Sequence, residues 1–323
     1  MNPIRVVFMG TSRFAVPILC SLMADPFHVV LVVTQPDRPQ GRHQHLEPPC
    51  CKVKAAELSA RIVQPEKIRT AEFYGLLESL APDVVVTASY GKILTDRHLQ
   101  ASRYGVINVH ASLLPALRGA APINWAIIEG HARTGISIMK TCRDMDAGPI
   151  LRQCSIDITA EDDVDSLELK LADLGAALLP QTLKEYLADL LVPIEQDHQN
   201  ATYAPKLQSL DGMVDWSCSS EKIARHIRGM TPRPGAFSIV NDLRIKVHRA
   251  VLQDPTVCGV VSSAAPGCIV GSLPNKGLLI QTGSGLLRLE EVQPPSKARM
   301  RGDLLINGRY VKIGDRFQGK PTV

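Results

Sequence analysis

Val7-Phe8-Met9-Gly10-Thr11-Ser12-Arg13-Phe14 closes a short apolar, β-branched run and leads directly into Ala15–Ala24, a segment of helical period. A buried strand followed at once by a helix is half of a β-α-β unit, and the same alternation repeats outward from it. Ile4–Met9, Val29–Thr34, Asp83–Ala88, Val106–His110 and Gly135–Lys140 read as strands. Ala15–Ala24, Lys52–Ala60, Thr70–Leu80 and Ala121–Glu129 read as helices, followed by a long amphipathic segment from Asp163 to about Leu187 that starts after Thr159-Ala160-Glu161-Asp162. The first two hundred residues therefore predict an α/β fold, a mostly parallel sheet with helices on both faces. The Gly10 turn lacks the Gly-x-Gly-x-x-Gly that lets a backbone approach a pyrophosphate, which argues against a dinucleotide. Gly10 reads as a tight strand-to-helix turn, with a substrate contact at Gly10–Arg13 as the alternative.

From Val192 to Pro205 the chain turns polar and aperiodic, as an exposed connection between two units would. The expected division is 1–191, a linker at 192–206, and 207–323. After a helix-like Glu221–Gly229, the short alternating segments Phe237–Val240, Leu243–Val251, Cys268–Val270, Leu278–Thr282 and Leu286–Val292 predict a small β-barrel or β-sandwich. Charge separates the halves as well: residues 1–206 hold 20 basic and 23 acidic groups, residues 207–323 hold 16 and 9. A basic β module suits a nucleic-acid backbone, because neutralising phosphates supplies most sequence-independent affinity; a merely solvated face is the alternative.

Over all 323 residues the net charge is only +4, with 45% hydrophobic and 21% charged residues, a globular composition that excludes a disordered or fibrous chain. No uncharged apolar run is long enough to span a bilayer and the first residues do not resemble a signal-peptide core, so a cytoplasmic protein is expected. The eight cysteines, Cys20, Cys50, Cys51, Cys142, Cys154, Cys218, Cys258 and Cys268, contain no Cys-x-x-Cys pair. Neither a metal site nor a disulfide framework is expected, and the thiols read as buried or incidental.

The strongest chemical signal is Val106-Ile107-Asn108-Val109-His110-Ala111-Ser112-Leu113-Leu114-Pro115. Strand residues i and i+2 share a face, so Asn108 and His110 stand side by side at a carboxyl end, where open α/β sheets bind ligands. Arg118-Gly119-Ala120-Ala121-Pro122 follows, with Pro122 suited to a first helical turn; the free amides there and Arg118 offer positive potential, unless Arg118 is a plain surface residue. Further on, Cys142-Arg143-Asp144-Met145-Asp146-Ala147-Gly148-Pro149 is a turn-forming loop able to return a carboxylate to the same crevice. Asp144 or Asp146 is then the partner of His110, or the Asp-x-Asp forms an Asx turn. Imidazole beside carboxylate suits a group that donates to a developing oxyanion or relays a proton.

With these residues in view together, the sequence resembles the 10-formyltetrahydrofolate-dependent formyltransferases, and within them the branch that acts on tRNA. Thr34-Gln35-Pro36-Asp37-Arg38-Pro39 with Gly41-Arg42, Ala88-Ser89-Tyr90-Gly91-Lys92-Ile93-Leu94, Tyr203-Ala204-Pro205-Lys206-Leu207 and Asp215-Trp216 extend the resemblance over almost the whole chain. It implies a Rossmann-like catalytic domain and an OB-like C-terminal barrel that binds tRNA. It also implies formyl transfer from 10-formyltetrahydrofolate to the α-amine of initiator methionyl-tRNA for translation initiation. Asn108, His110 and Asp146 match the catalytic triad. Ser112, Leu113, Leu114 and Pro115 match the folate-binding stretch, with Tyr90, Gly91, Lys92, Ile93 and Leu94, and Arg143 and Asp144, helping to cradle the pterin. Arg42 and Lys206 are the residues expected to meet tRNA, although His43-Gln44-His45 stands where the family carries further lysines. No metal, membrane or obligate protein partner is implied, and a monomer is expected. Formyl transfer to a small amine, a non-catalytic tRNA-binding module and a nucleotide-dependent oxidoreductase are the competing readings.

Overall fold

The computed structural model describes residues 3–40, 45–254 and 264–319. The chain forms two compact units, one made of the residues up to Pro122 with Arg133–Asp157 and Glu168–Pro205, the other of Ile123–Ala132, Ile158–Leu167 and the chain from Lys206 onward.

The first unit is built on a seven-stranded sheet in the spatial order Ile150–Asp157, Arg133–Lys140, Val106–His110, Val84–Ala88, Ile4–Gly10, Phe27–Val33, Ile62–Val63. All neighbours are parallel except the two that flank Arg133–Lys140. Val84–Ala88 is buried along its whole length, the mark of a strand covered on both faces. Val7, Met9, Leu31, Val33, Phe73, Leu77 and Val85 pack together against one side, and each such side chain withdrawn from water contributes ~1.5–3 kcal/mol. Among the described residues the helices of this unit are Ala15–Ser21, Cys50–Glu57, Ala71–Leu80, Asp96–Leu99 and most of Val164–Leu187, whose first residues, like nearly all of Pro122–Glu129, fall in the second unit. Ala71–Leu80, expected as Thr70–Leu80, begins where the Thr70 hydroxyl caps it by accepting the Phe73 N–H.

Two features depart from expectation. Ile150–Asp157 is an antiparallel edge strand; its Arg152-Gln153-Cys154-Ser155 centre is too polar for a buried run, which is what an edge position permits. The polar stretch after Val192 is not a loose connection. Ile194 exchanges backbone hydrogen bonds with Ile150 at 2.7 and 2.8 Å, Tyr203–Ala204 pairs in parallel with Arg118–Gly119, and Gln196 is only 5% exposed.

The second unit is an antiparallel sheet ordered Ala236–Val240, Leu243–Gln253, Leu286–Gln293, Gly277–Gln281, Ile269–Leu273, with Met300–Arg301 added to Leu286–Gln293. Asn241 and Asp242 join the first two strands with φ of 47° and 61°, the left-handed pair that a two-residue hairpin demands. Trp216, Ile223, Ile227, Leu289 and Phe317 lie in its core, and Trp216 Nε1 donates to Ser238 Oγ at 2.9 Å. Arg316 bridges Cys268 and Gln318 bridges Ile239, so one short segment touches both outer strands of the sheet path.

Candidate active site

Val106–His110 ends with two side chains on one face, as its alternation predicted. Asn108 pairs in register with Thr87 on the neighbouring strand, and Thr87 Oγ1 donates to Asn108 Oδ1 at 2.9 Å. With the oxygen of the amide so engaged, its Nδ2 hydrogens are the donors left for another partner. His110, 6% exposed, places Nε2 at 3.1 Å from the Leu117 carbonyl. A carbonyl only accepts, so Nε2 carries a proton and Nδ1 is the edge left for chemistry. Nδ1 lies 3.7 Å from Asp146 Oδ2, within ion-pair range.

Asp146 reaches this position because its backbone turns left-handed, with φ of 49°. Its Oδ2 accepts the Gly119 N–H at 2.9 Å, which aims the carboxylate. Gly119 sits at φ +123°, where a Cβ would stand 2.7 Å from the Ala204 carbonyl, so only glycine fits. Gly148 is equally constrained, since a Cβ there would stand 1.9 Å from the Lys140 carbonyl. Of the two carboxylates left open by the sequence, Asp146 turns inward, whereas Asp144 is exposed and its carbonyl closes the turn by accepting from Ala147 N at 3.4 Å. Arg143 is exposed as well.

Ser112–Pro115 is held from behind. Ser112 Oγ donates to the Ala116 carbonyl at 2.6 Å, and Ser137 Oγ donates to the Ser112 carbonyl at 2.6 Å while accepting from Leu114 N and from Gln153 Nε2. Ser112 and Leu114 are buried by these contacts, so Leu113 and Pro115, both half-buried, are the side chains this stretch can offer. In Tyr90–Leu94, the Tyr90 carbonyl accepts from Thr11 Oγ1 and Gln35 Nε2, both at 3.0 Å. Burial pushes the Tyr90 phenol up and keeps it a neutral donor. Lys92 Nζ donates to the Pro65 and Glu66 carbonyls at 2.5 and 2.9 Å, and burial pulls its pKa down. Gly91 takes φ +80°, and Ile93, 73% exposed, stands out from the surface.

Other expectations are corrected. Arg118 is not a surface residue: it is 4% exposed and donates to Gln196 Oε1 through Nε at 3.1 Å and Nη2 at 2.7 Å. The amides of Ala120 and Ala121 are not free either, because both donate to the Ala204 carbonyl. Gly10, read as a tight turn, is the last residue of the strand Ile4–Gly10 and pairs with Ala88; glycine is needed there because a Cβ would stand 2.6 Å from the Phe8 ring. Lys206 is exposed, and Arg42 lies outside the described residues. Among the described residues no three His, Cys, Asp or Glu side chains form a metal-ligand group, and no helix is long and apolar enough to cross a membrane.

Thr87 and Gln196 were missed from the sequence. Thr87 had a signal, the one hydroxyl in Val84-Val85-Val86-Thr87-Ala88 next to the strand bearing Asn108. Gln196 had none, since nothing in a polar stretch foretells a buried amide.

Residues 4–183 match the family model described as formyl transferase, and residues 206–310 match that of the formyl transferase C-terminal domain. The chain belongs to the formyl transferase family. This formyltransferase is 41% identical over 313 residues to methionyl-tRNA formyltransferase of Bacillus subtilis, covering 96% of each chain. It is 42% identical over 306 residues to methionyl-tRNA formyltransferase of Citrifermentans bemidjiense, covering 94% of each. Its fold is shared with an N-formyltransferase from Helicobacter canadensis solved in complex with folinic acid and dTDP-3-aminofucose, at a TM-score of 0.67 and 15% identity over 88% of this chain and 98% of the other.

Proposed function

We propose that this formyltransferase moves the formyl group of 10-formyltetrahydrofolate to the free α-amino group of initiator methionyl-tRNA, giving N-formylmethionyl-tRNA for translation initiation. The observation that carries the reading is the meeting of Asn108, His110 and Asp146 at the end of one strand, in a chain 41% identical to methionyl-tRNA formyltransferase of Bacillus subtilis. The residues suit a formyl donor: Thr87 engages the Asn108 amide oxygen, which leaves the Nδ2 hydrogens as donors, and the Leu117 carbonyl takes His110 Nε2, which leaves Nδ1, a donor set of the kind an oxyanion requires.

The co-substrate supplies a formyl carbon on nitrogen; when the amine attacks it, a C–N bond forms, negative charge develops on the formyl oxygen, and the folate nitrogen departs with a proton. Asn108 Nδ2 and protonated His110 Nδ1 donate to that oxygen, and these contacts strengthen as its charge grows. Asp146 stabilises the imidazolium and holds the proton shed by the incoming amine, directly or through a water. Leu117 O and Gly119 N keep the ring and the carboxylate aimed.

The half-buried Leu113 and Pro115, the buried Ser112 and Leu114 that fix their loop, the backbone from Tyr90 through Gly91, Lys92 and Ile93 to Leu94, and the exposed Arg143 and Asp144 form the folate cradle in this reading. Arg42 and Lys206 engage tRNA. The catalytic domain spans 1–191 and the tRNA-binding domain, an OB-like barrel, 207–323; residues 192–206 link them while packing, through Ile194, Gln196 and Tyr203–Ala204, on the catalytic domain. The bridges from Arg316 and Gln318 to both outer strands support that closure. The protein acts as a monomer in the cytoplasm.

Formation of N-formylmethionyl-tRNA from 10-formyltetrahydrofolate tests the reading, with charged initiator tRNA, charged elongator tRNA, glycinamide ribonucleotide and an amino-sugar nucleotide in competition. Preference for the initiator species is expected. Preference for a small amine overturns the assigned acceptor, and absence of folate binding by calorimetry overturns the assigned reaction.

A further inference from the structure

We propose that Gln196 is a positioning residue for formyl transfer, its carboxamide holding the left-handed turn at Asp146 so that the carboxylate stays against His110; the catalytic part of this rests on the function proposed above. Every hydrogen-bonding capacity of the amide is used. Oε1 accepts from Arg118 Nε at 3.1 Å and Nη2 at 2.7 Å, while Nε2 donates to the Asp146 carbonyl at 2.8 Å and the Gly148 carbonyl at 2.7 Å. The orientation is unambiguous, because a flipped amide would set its NH2 against a guanidinium and its oxygen against two carbonyls.

These contacts close a ring through three consecutive residues. The Leu117 carbonyl fixes His110, Arg118 fixes Gln196, and the Gly119 N–H fixes the Asp146 carboxylate. Gln196 returns to the Asp146 backbone and completes the circuit. A non-glycine residue at φ of 49° persists only where its surroundings hold it there, and the Nε2 donation to Asp146 O is such a hold. Gln196 and Arg118 are 5% and 4% exposed, so no solvent substitutes for a lost partner.

Gln196→Glu separates the two halves of the contact: it keeps an acceptor for Arg118 but presents oxygen, without donors, to the Asp146 and Gly148 carbonyls. In the full-length protein, kcat for formyl transfer to methionyl-tRNA is expected to fall by about tenfold or more, with KM for either substrate changed less than about twofold. In an Asp146→Asn background the same substitution is expected to cost less than about twofold further, because it acts through that carboxylate. A kcat near the parent value, or losses that multiply in full, overturns the proposal. Gln196→Asn keeps the same donors and acceptors one methylene shorter; it gives the same pattern in smaller measure and serves if Gln196→Glu does not fold. A second readout is independent of the assigned substrate. In protein labelled with ¹⁵N-histidine, Gln196→Glu is expected to move the ring signals of His110, assigned through His110→Gln, and to leave those of His98 in place. Unmoved His110 signals overturn the proposal. Moved signals in a protein that does not formylate methionyl-tRNA uphold the positioning and overturn the substrate instead.

Discussion

Replacing Asp146 by asparagine isolates charge from geometry. Asparagine keeps an oxygen to accept the Gly119 N–H, which lies 2.9 Å from Oδ2, so the turn retains its anchor. What disappears is a negative charge 3.7 Å from His110 Nδ1. At that separation two unit charges attract by about 4 kcal/mol with an effective dielectric of ~20. Part of this is offset by the desolvation of the pair, His110 being 6% exposed. If about 3 kcal/mol remains in the transition state, kcat falls by about a hundredfold. The assay is the initial rate of N-formylmethionyl-tRNA formation with both substrates saturating, alongside a thermal melt to verify the fold. A well-folded Asp146→Asn protein that keeps its rate to within about threefold would show that the carboxylate does not stabilise charge on His110 and would refute the scheme.

Asn108→Ala is expected to lower kcat by about a hundredfold as one oxyanion donor is lost. Thr87→Val, which removes the hydroxyl bonded to Asn108 Oδ1, is expected to cost about tenfold and to cost nothing further once Asn108 is alanine. Parent-like turnover in Asn108→Ala would remove that residue from the scheme. Gly119→Ala is expected to destabilise the fold by about 2 kcal/mol or more, since it meets both a positive φ and the Ala204 carbonyl at 2.7 Å; an unchanged melting temperature would contradict it. Burial pushes the Cys51 thiol up to about 12, so it stays a protonated thiol at neutral pH, while Cys20 and Cys50 are exposed. Iodoacetamide followed by mass spectrometry should therefore modify Cys20 and Cys50 in the native protein and Cys51 only in denaturant, and native labelling of Cys51 would be the contrary result.

The elements legible in the sequence are those whose physics is local. Val106–His110 is a strand with the bounds expected of it, because β-branched alternation states both its conformation and the face carrying Asn108 and His110. The hairpin at Asn241-Asp242 is local too, two residues that tolerate positive φ between alternating runs. Ile150–Asp157 was opaque because an edge strand is not required to be apolar. Asp146 could not be separated from Asp144 by spacing alone, since the choice is made by a left-handed backbone and by the Gly119 N–H, 27 residues away in the chain. The Arg118–Gln196 contact spans 78 residues and joins two polar side chains that each look suited to solvent.

The burial of Arg118 also bears on how this site holds its charge. A guanidinium so enclosed stabilises little by itself, because its desolvation offsets most of what its neighbours return. Its five donors are rigidly forked, however, and that geometry can fix the orientation of an amide. Arg118 uses the fork on Gln196 Oε1 and donates through Nη2 to His198 Nδ1 at 3.1 Å, while its backbone pairs with Tyr203. A lysine, with a single point charge, would leave the Gln196 amide free to rotate and so loosen the Asp146 turn. Arg118→Lys is accordingly expected to lower kcat while leaving KM for methionyl-tRNA near its parent value, the signature of a misaimed carboxylate. If the substitution instead raised KM and spared kcat, Arg118 would belong with substrate binding and the ring through Leu117, Arg118 and Gly119 would not be what aims His110 and Asp146.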